Sequence, residues 1–153
     1  MALLQETPED IAELIKQASL KADYKTRLKA LSELKKYDCP ESRDMITKLA
    51  LFDKVYQVKQ EAFKAAKALG IQKNGKAIKL GKKNIGYKLE DFTKIFLQIK
   101  SDKNMGQLNL NLCKEHLKKL NPEMNDVMKY EKKDKFDSWV KTTFNCLPKT
   151  KNT

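Results

Sequence analysis

The chain is poor in the residues that membrane-spanning, disulfide-built or metal-dependent proteins require. No stretch of its 153 residues approaches the roughly 20 consecutive apolar positions of a bilayer-spanning helix, which argues against a membrane span. Cysteine occurs three times, at Cys39, Cys113 and Cys146, an odd and widely spaced set that does not describe a disulfide framework. Reduced thiols in apolar surroundings are expected. The single histidine, His116, follows Cys113 by three residues, an acceptable helical spacing for two metal ligands. A structural zinc site takes about four ligands and a catalytic one about three plus water, so neither a metal nor another cofactor is expected. A triad around His116 would need a nucleophile and an acid that no motif here brings together, and no catalytic residue is assigned. The opening Met1-Ala2-Leu3-Leu4-Gln5-Glu6 has no basic n-region and no apolar h-region, so a secretory signal is not expected and the predicted location is cytoplasmic.

Glycine is scarce as well, and where it occurs is informative. Four of the five glycines fall in residues 70–88. That stretch also holds Lys73, Lys76, Lys79, Lys82, Lys83 and Lys88 with no acidic residue, which is half of the net charge of +12. At 41% apolar and 34% charged residues, the chain as a whole has the composition of one that folds in water. Few breakers elsewhere favour helix.

Apolar periodicity supports an all-α reading. Thr7-Pro8-Glu9-Asp10 is a helix start, followed by Ile11, Leu14, Ile15 and Ala18 on one stripe. A second helix runs from about Tyr24 with Leu28, Leu31 and Leu34 inward, and Asp38-Cys39-Pro40 breaks it. Met45, Ile46, Leu49 and Ala50 mark a third. A fourth, from about Lys54, carries Val55, Val58, Ala62, Phe63, Ala66 and Leu69 and stops at Gly70. Past residue 88, Leu89, Phe92, Ile95, Phe96 and Ile99 form a strong amphipathic helix ended by Ser101-Asp102-Lys103-Asn104. Leu110, Cys113, Leu117 and Leu120 form the next, ended by Asn121-Pro122; Met124, Val127 and Met128 mark a short one. The last holds Phe136, Trp139, Val140, Phe144 and Leu147. The spacing of Trp139 from Phe136 and Phe144 suits a core face better than a stacking platform.

The first four helices repeat with a period of 32: Leu14 aligns with Ile46, Ala18 with Ala50, Tyr24 with Tyr56, Arg27 with Lys59, Ala30 with Ala62, Leu31 with Phe63 and Leu34 with Ala66. The second copy, Asp53, Val58-Lys59, Ala62, Ala65-Ala66 and Leu69-Gly70, resembles the inner-helix pattern of the HEAT-repeat family. The first copy, Asp23, Arg27, Ala30-Leu31 and Leu34, matches more loosely. The resemblance covers residues 8–70 and implies antiparallel helix pairs stacked into a curved layer used for binding, in some members on DNA. The expected organisation is a HEAT-like unit over residues 1–70, a Gly/Lys-rich arm over 71–88 and a small helical domain over 89–153.

Gly70-Ile71-Gln72-Lys73-Asn74-Gly75-Lys76-Ala77 has the glycine and lysine spacing of a phosphate-binding P-loop. It places Ala77 where Ser or Thr should hold magnesium, and it follows a helix instead of a strand. These glycines are read as a helix stop and a turn, with Ala77-Ile78-Lys79-Leu80 as a short extended stretch.

These features predict a non-enzymatic binding protein. Lysines 73, 76, 79, 82, 83 and 88 on a loosened arm suit a phosphate backbone without reading bases, and Lys25, Arg27 and Lys59 are candidate secondary contacts. Gln107, Asn109 and Asn111, near a helix start, suit either base edges or capping. The alternative is a HEAT-type scaffold for an acidic protein, and a third reading is an enzyme acting on a DNA base. No membrane partner and no small-molecule substrate are predicted.

Overall fold

The computed structural model describes residues 3–148. Four helices come first: α1 (Ile11–Ala18), α2 (Tyr24–Leu34), α3 (Pro40–Phe52) and α4 (Tyr56–Ala68). Two short strands follow, β1 (Gln72–Lys73) and β2 (Lys76–Ala77). The remainder is α5 (Leu89–Asp102), α6 (Leu110–Leu120), α7 (Pro122–Lys132), a 3₁₀ turn (Lys133–Lys135) and α8 (Phe136–Asn145). The fold is all-α, built of helical hairpins, and it separates into two compact units between Ile85 and Gly86.

In the first unit α1 packs on α2 and α3 on α4, and the two hairpins stack through α1 on α3 and α2 on α4. The 32-residue repeat is physical. Leu14 and Ile46, Ala18 and Ala50, Ala30 and Ala62, and Leu34 and Ala66 are all buried pairs, and α2 and α4 both start on a tyrosine. Alanines at these positions let neighbouring helices approach closely while burying apolar surface. Helix α2 begins at a sound cap, because the Asp23 carboxylate accepts from the Lys25 N–H at 3.0 Å. Pro40, which lacks an N–H to waste, opens α3.

The first unit has one feature with no sequence signal. Leu4 pairs in a parallel bridge with Tyr37, its N–H donating to Lys36 O at 2.9 Å and its carbonyl accepting from Asp38 N–H at 2.7 Å, so the N-terminal segment is tied to the α2–α3 loop.

Helix α4 ends in a Schellman motif. Gly70 has φ +67°, its N–H donates to Lys67 O at 3.1 Å, and Ile71 N–H donates to Ala66 O at 2.9 Å. The buried Ile71 side chain completes the cap. Asn74 (φ +55°) and Gly75 (φ +77°) then form a two-residue turn that joins β1 to β2, with Lys73 facing Lys76 and Gln72 facing Ala77. Asn-Gly is the sequence for a hairpin whose two turn residues both need positive φ. Both glycines therefore act as a helix stop and a turn, as read from the sequence. The ladder is limited to Lys76–Ala77 on the second strand and does not extend through Leu80.

The second unit closes around Phe92, Phe96, Ile99, Cys113, Leu117, Met124, Val127, Phe136, Val140 and Phe144, all buried. Trp139 belongs to this core: it meets Phe92 and Phe96 edge-on, with ring centroids 5.3 and 5.5 Å apart. Helix α5 ends on Asn104 (φ +48°), with Met105 N–H returning to Lys100 O at 2.9 Å, the same Schellman geometry with Asn in place of Gly. Asn109 caps α6 by accepting from Leu112 N–H at 3.2 Å, and Asn121 caps α7 by accepting from Met124 N–H at 3.0 Å. Asn109 thus serves the capping role that the sequence allowed. No helix among the described residues is long and apolar enough to cross a membrane.

Candidate nucleic-acid interface

The arm lysines are built outward from the cap at Gly70. With Ile71 buried and the Asn74-Gly75 turn closed, Lys73 and Lys76 occupy facing positions on the hairpin, and both are exposed. Lys79, Lys82 and Lys83 follow, also exposed. Among the described residues no salt bridge engages Lys73, Lys76, Lys79 or Lys82, and residues 71–88 contain no acid. Lys73 and Lys76, like charges facing each other on the hairpin, raise the local potential and favour an anionic ligand.

Lys59, on the first turn of α4, joins this set. A methyl group placed on Gly81 would lie 3.8 Å from its ammonium nitrogen, so the chain after the hairpin runs past the Lys59 side chain. Lys88 is exposed but belongs to the second unit, where it precedes α5 and its backbone N–H donates to the Asp91 carboxylate at 2.8 Å. Lys25 is exposed on α2.

Arg27 is corrected out of the set. It is 5% exposed, and its guanidinium donates to the Asp53 carboxylate through Nε at 2.8 Å and Nη2 at 3.0 Å and to Leu20 O through Nη1 at 2.9 Å. A guanidinium committed to three internal acceptors and shielded from water has nothing to offer a phosphate. The sequence placed it with the basic residues because charge type does not report burial.

Two features of the surface had no place in the sequence reading. Phe52, the last residue of α3, is 71% exposed, and the Lys73 ammonium lies 5.9 Å from its ring centroid. Phe52 stands three residues after Leu49 and seven after Met45, a spacing that continues the apolar stripe of α3, so the sequence carried no signal of its exposure. In the second unit, Asn111, Lys114, Glu115, Lys118, Asn125 and Lys129 line a cavity of about 290 Å³. Lys114 and Lys118 sit one helical turn apart on α6, a spacing visible in the sequence. Lys114 is paired with Asp137 at 2.9 Å, and Glu115 offsets more of the charge, so this cavity is less basic than the arm.

The cysteine and histidine positions resolve into structure. Cys39 and Cys113 are buried, whereas Cys146 is exposed, contrary to the expectation that all three sit in apolar surroundings. Burial pushes the Cys113 thiol up to about 11. His116 Nε2 donates to the Asp102 carboxylate at 2.9 Å, tying α6 to the end of α5. The Tyr87 hydroxyl donates to Glu123 at 3.1 Å, and burial first, then the charge of Glu123, raises its pKa well above the usual phenol range.

No protein-family model matches the chain, nor does any curated protein or solved structure.

Proposed function

We propose that this protein binds nucleic acid without catalysing a reaction, holding the phosphate backbone with Lys73 and Lys76 of the basic hairpin and Lys79, Lys82 and Lys83 of the segment that follows it. Lys59 extends the same surface, Lys25 is a further cation of the same unit, and Lys88 is a separate candidate contact on the second unit. The observation that carries this reading is the concentration of exposed lysines in a stretch whose sequence holds no acid, with Lys73 and Lys76 facing each other on a paired hairpin. Lysine ammoniums are compact point charges that neutralise phosphates and leave base identity unread. Affinity without sequence preference is the expected result.

The test is fluorescence anisotropy of labelled random duplex DNA at salt concentrations between about 50 and 200 mM, where each neutralised phosphate contributes roughly −0.9 to the log-log slope. Substituting Lys76, Lys79, Lys82 and Lys83 by Gln removes up to four such contacts and flattens the slope accordingly. Unchanged affinity and slope in that variant would overturn the reading.

A second reading is supported by a different observation, the stacking of α1 on α3 and α2 on α4. Stacked hairpins with small residues between them are what the HEAT resemblance implies, and such layers serve as scaffolds for proteins. An acidic protein captured through apolar hairpin residues and retained at high salt would move this reading to first place.

A further inference from the structure

We infer that Phe52 is a stacking site for an unpaired nucleobase, so that the ligand of the basic hairpin is single-stranded or locally unpaired nucleic acid. The inference rests on the nucleic-acid reading above and names the form of its substrate.

A phenylalanine ring left 71% exposed in water forgoes the burial that normally stabilises it. This one is also held firmly. Asp53, its neighbour, has extended backbone that ends α3, and the Asp53 carboxylate is gripped by Arg27 and accepts from Val55 N–H at 2.9 Å. Val55 is fully buried. The backbone that carries Phe52 is therefore fixed from the inside while its ring faces out, which lowers the ordering cost of a contact made by that ring.

The second component is a phosphate contact at matching reach. The Lys73 ammonium lies 5.9 Å from the ring centroid, and Lys73 faces Lys76 across the hairpin. A base laid on the ring would put its own backbone within range of the Lys73 ammonium, which would exchange the ring face for a phosphate, with Lys76 facing it across the hairpin. Aromatic platforms beside cations are how sequence-tolerant single-strand binding is achieved, because every base has a π-face. In a duplex those faces are already stacked on neighbouring base pairs, so Phe52 has nothing to receive.

The experiment compares a labelled single strand with the duplex of the same sequence against the full chain, in wild type, Phe52→Ala and Phe52→Trp. The exposed position leaves the fold of both variants intact. The expected result is that F52A loses roughly 5- to 150-fold in affinity for the single strand, the range of one lost base stack, and keeps its duplex affinity. F52W retains single-strand binding, and its added emission over the Trp139 background is quenched by the single strand and not by the duplex. Single-strand affinity unchanged in F52A overturns the inference while the phosphate reading stands. Equal losses for strand and duplex overturn it too, since the ring would then act without an unpaired base. Failure of wild type to bind either form at the lowest salt overturns both readings together.

Discussion

Arg27 and Asp53, twenty-six positions apart, face each other through two hydrogen bonds of 2.8 and 3.0 Å in a space closed to solvent. The pair joins α2, in the first hairpin, to the turn between α3 and α4, in the second. Removing one partner strands the other charge in the interior, which typically costs about 3–5 kcal/mol. Arg27→Met should therefore lower the unfolding free energy of the first unit by about that amount, read from urea denaturation followed by circular dichroism. Replacing both partners, as R27M/D53L, should recover much of the loss. The folded fraction of R27M should keep wild-type affinity for duplex DNA, which does not use the Phe52 ring; loss of duplex affinity there would return Arg27 to the binding set.

Gly70 and Gly106 both have open space where a Cβ would stand, and only Gly70 has positive φ. Their alanine variants separate backbone strain from crowding. Gly70→Ala should destabilise by about 1 kcal/mol, because the left-handed residue of the Schellman cap acquires a Cβ beside its own carbonyl. Gly106→Ala should be neutral or stabilise by up to about 1 kcal/mol through the unfolded chain. Equal urea midpoints for the two variants would show that the α4 cap contributes nothing.

The cysteines should separate by reactivity. Cys146 is the exposed cysteine, whereas Cys39 is buried and burial holds the Cys113 thiol up at about 11. A disulfide exchange reagent at neutral pH should modify one thiol quickly and the other two only at the rate of unfolding. Cys146→Ser should abolish the fast phase.

The pH dependence of the second unit follows from Asp102. The His116 hydrogen bond first, then that of Gln98 at 2.6 Å, hold its carboxyl below the ordinary carboxylate range. A carboxylate depressed in the folded state stabilises it above the unfolded-state value and ceases to do so as pH falls through the folded-state value. Acidification below about pH 4 should therefore lower the melting temperature, and Asp102→Asn should shrink that acid-side slope. Identical slopes in wild type and D102N would show that the pairing with His116 carries no stability.

Much of the helical order was legible because it is local. Period-3.6 stripes and Gly70 after Leu69 locate the helices, whereas Pro40 and Pro122, read as breaks, open α3 and α7, and α1 starts at Ile11, three residues after the Pro8 expected to open it. The Asn74-Gly75 hairpin was less visible, since two residues per strand are too few for an alternating pattern. The division between units at residue 85 lies inside the stretch read as an arm, because lysine and glycine content reports flexibility and charge and not which neighbour a segment joins. Arg27 and Phe52 show the limit most clearly: one charged residue lies inside and one aromatic lies outside. Both assignments depend on contacts made across more than twenty positions of chain, to Asp53 and to Lys73. No window of sequence contains such contacts.

The Schellman cap and the Asn74-Gly75 turn also bear on how the arm behaves as a ligand approaches. Fixing a disordered residue into one conformation costs about 1–2 kcal/mol of backbone entropy, so a loose tether of this length would resist capture by several kcal/mol. Residues 70–77 begin from a closed hairpin with its root capped, and that penalty is already absorbed in folding. Association through the hairpin should thus lack the large negative heat-capacity change of coupled folding and binding.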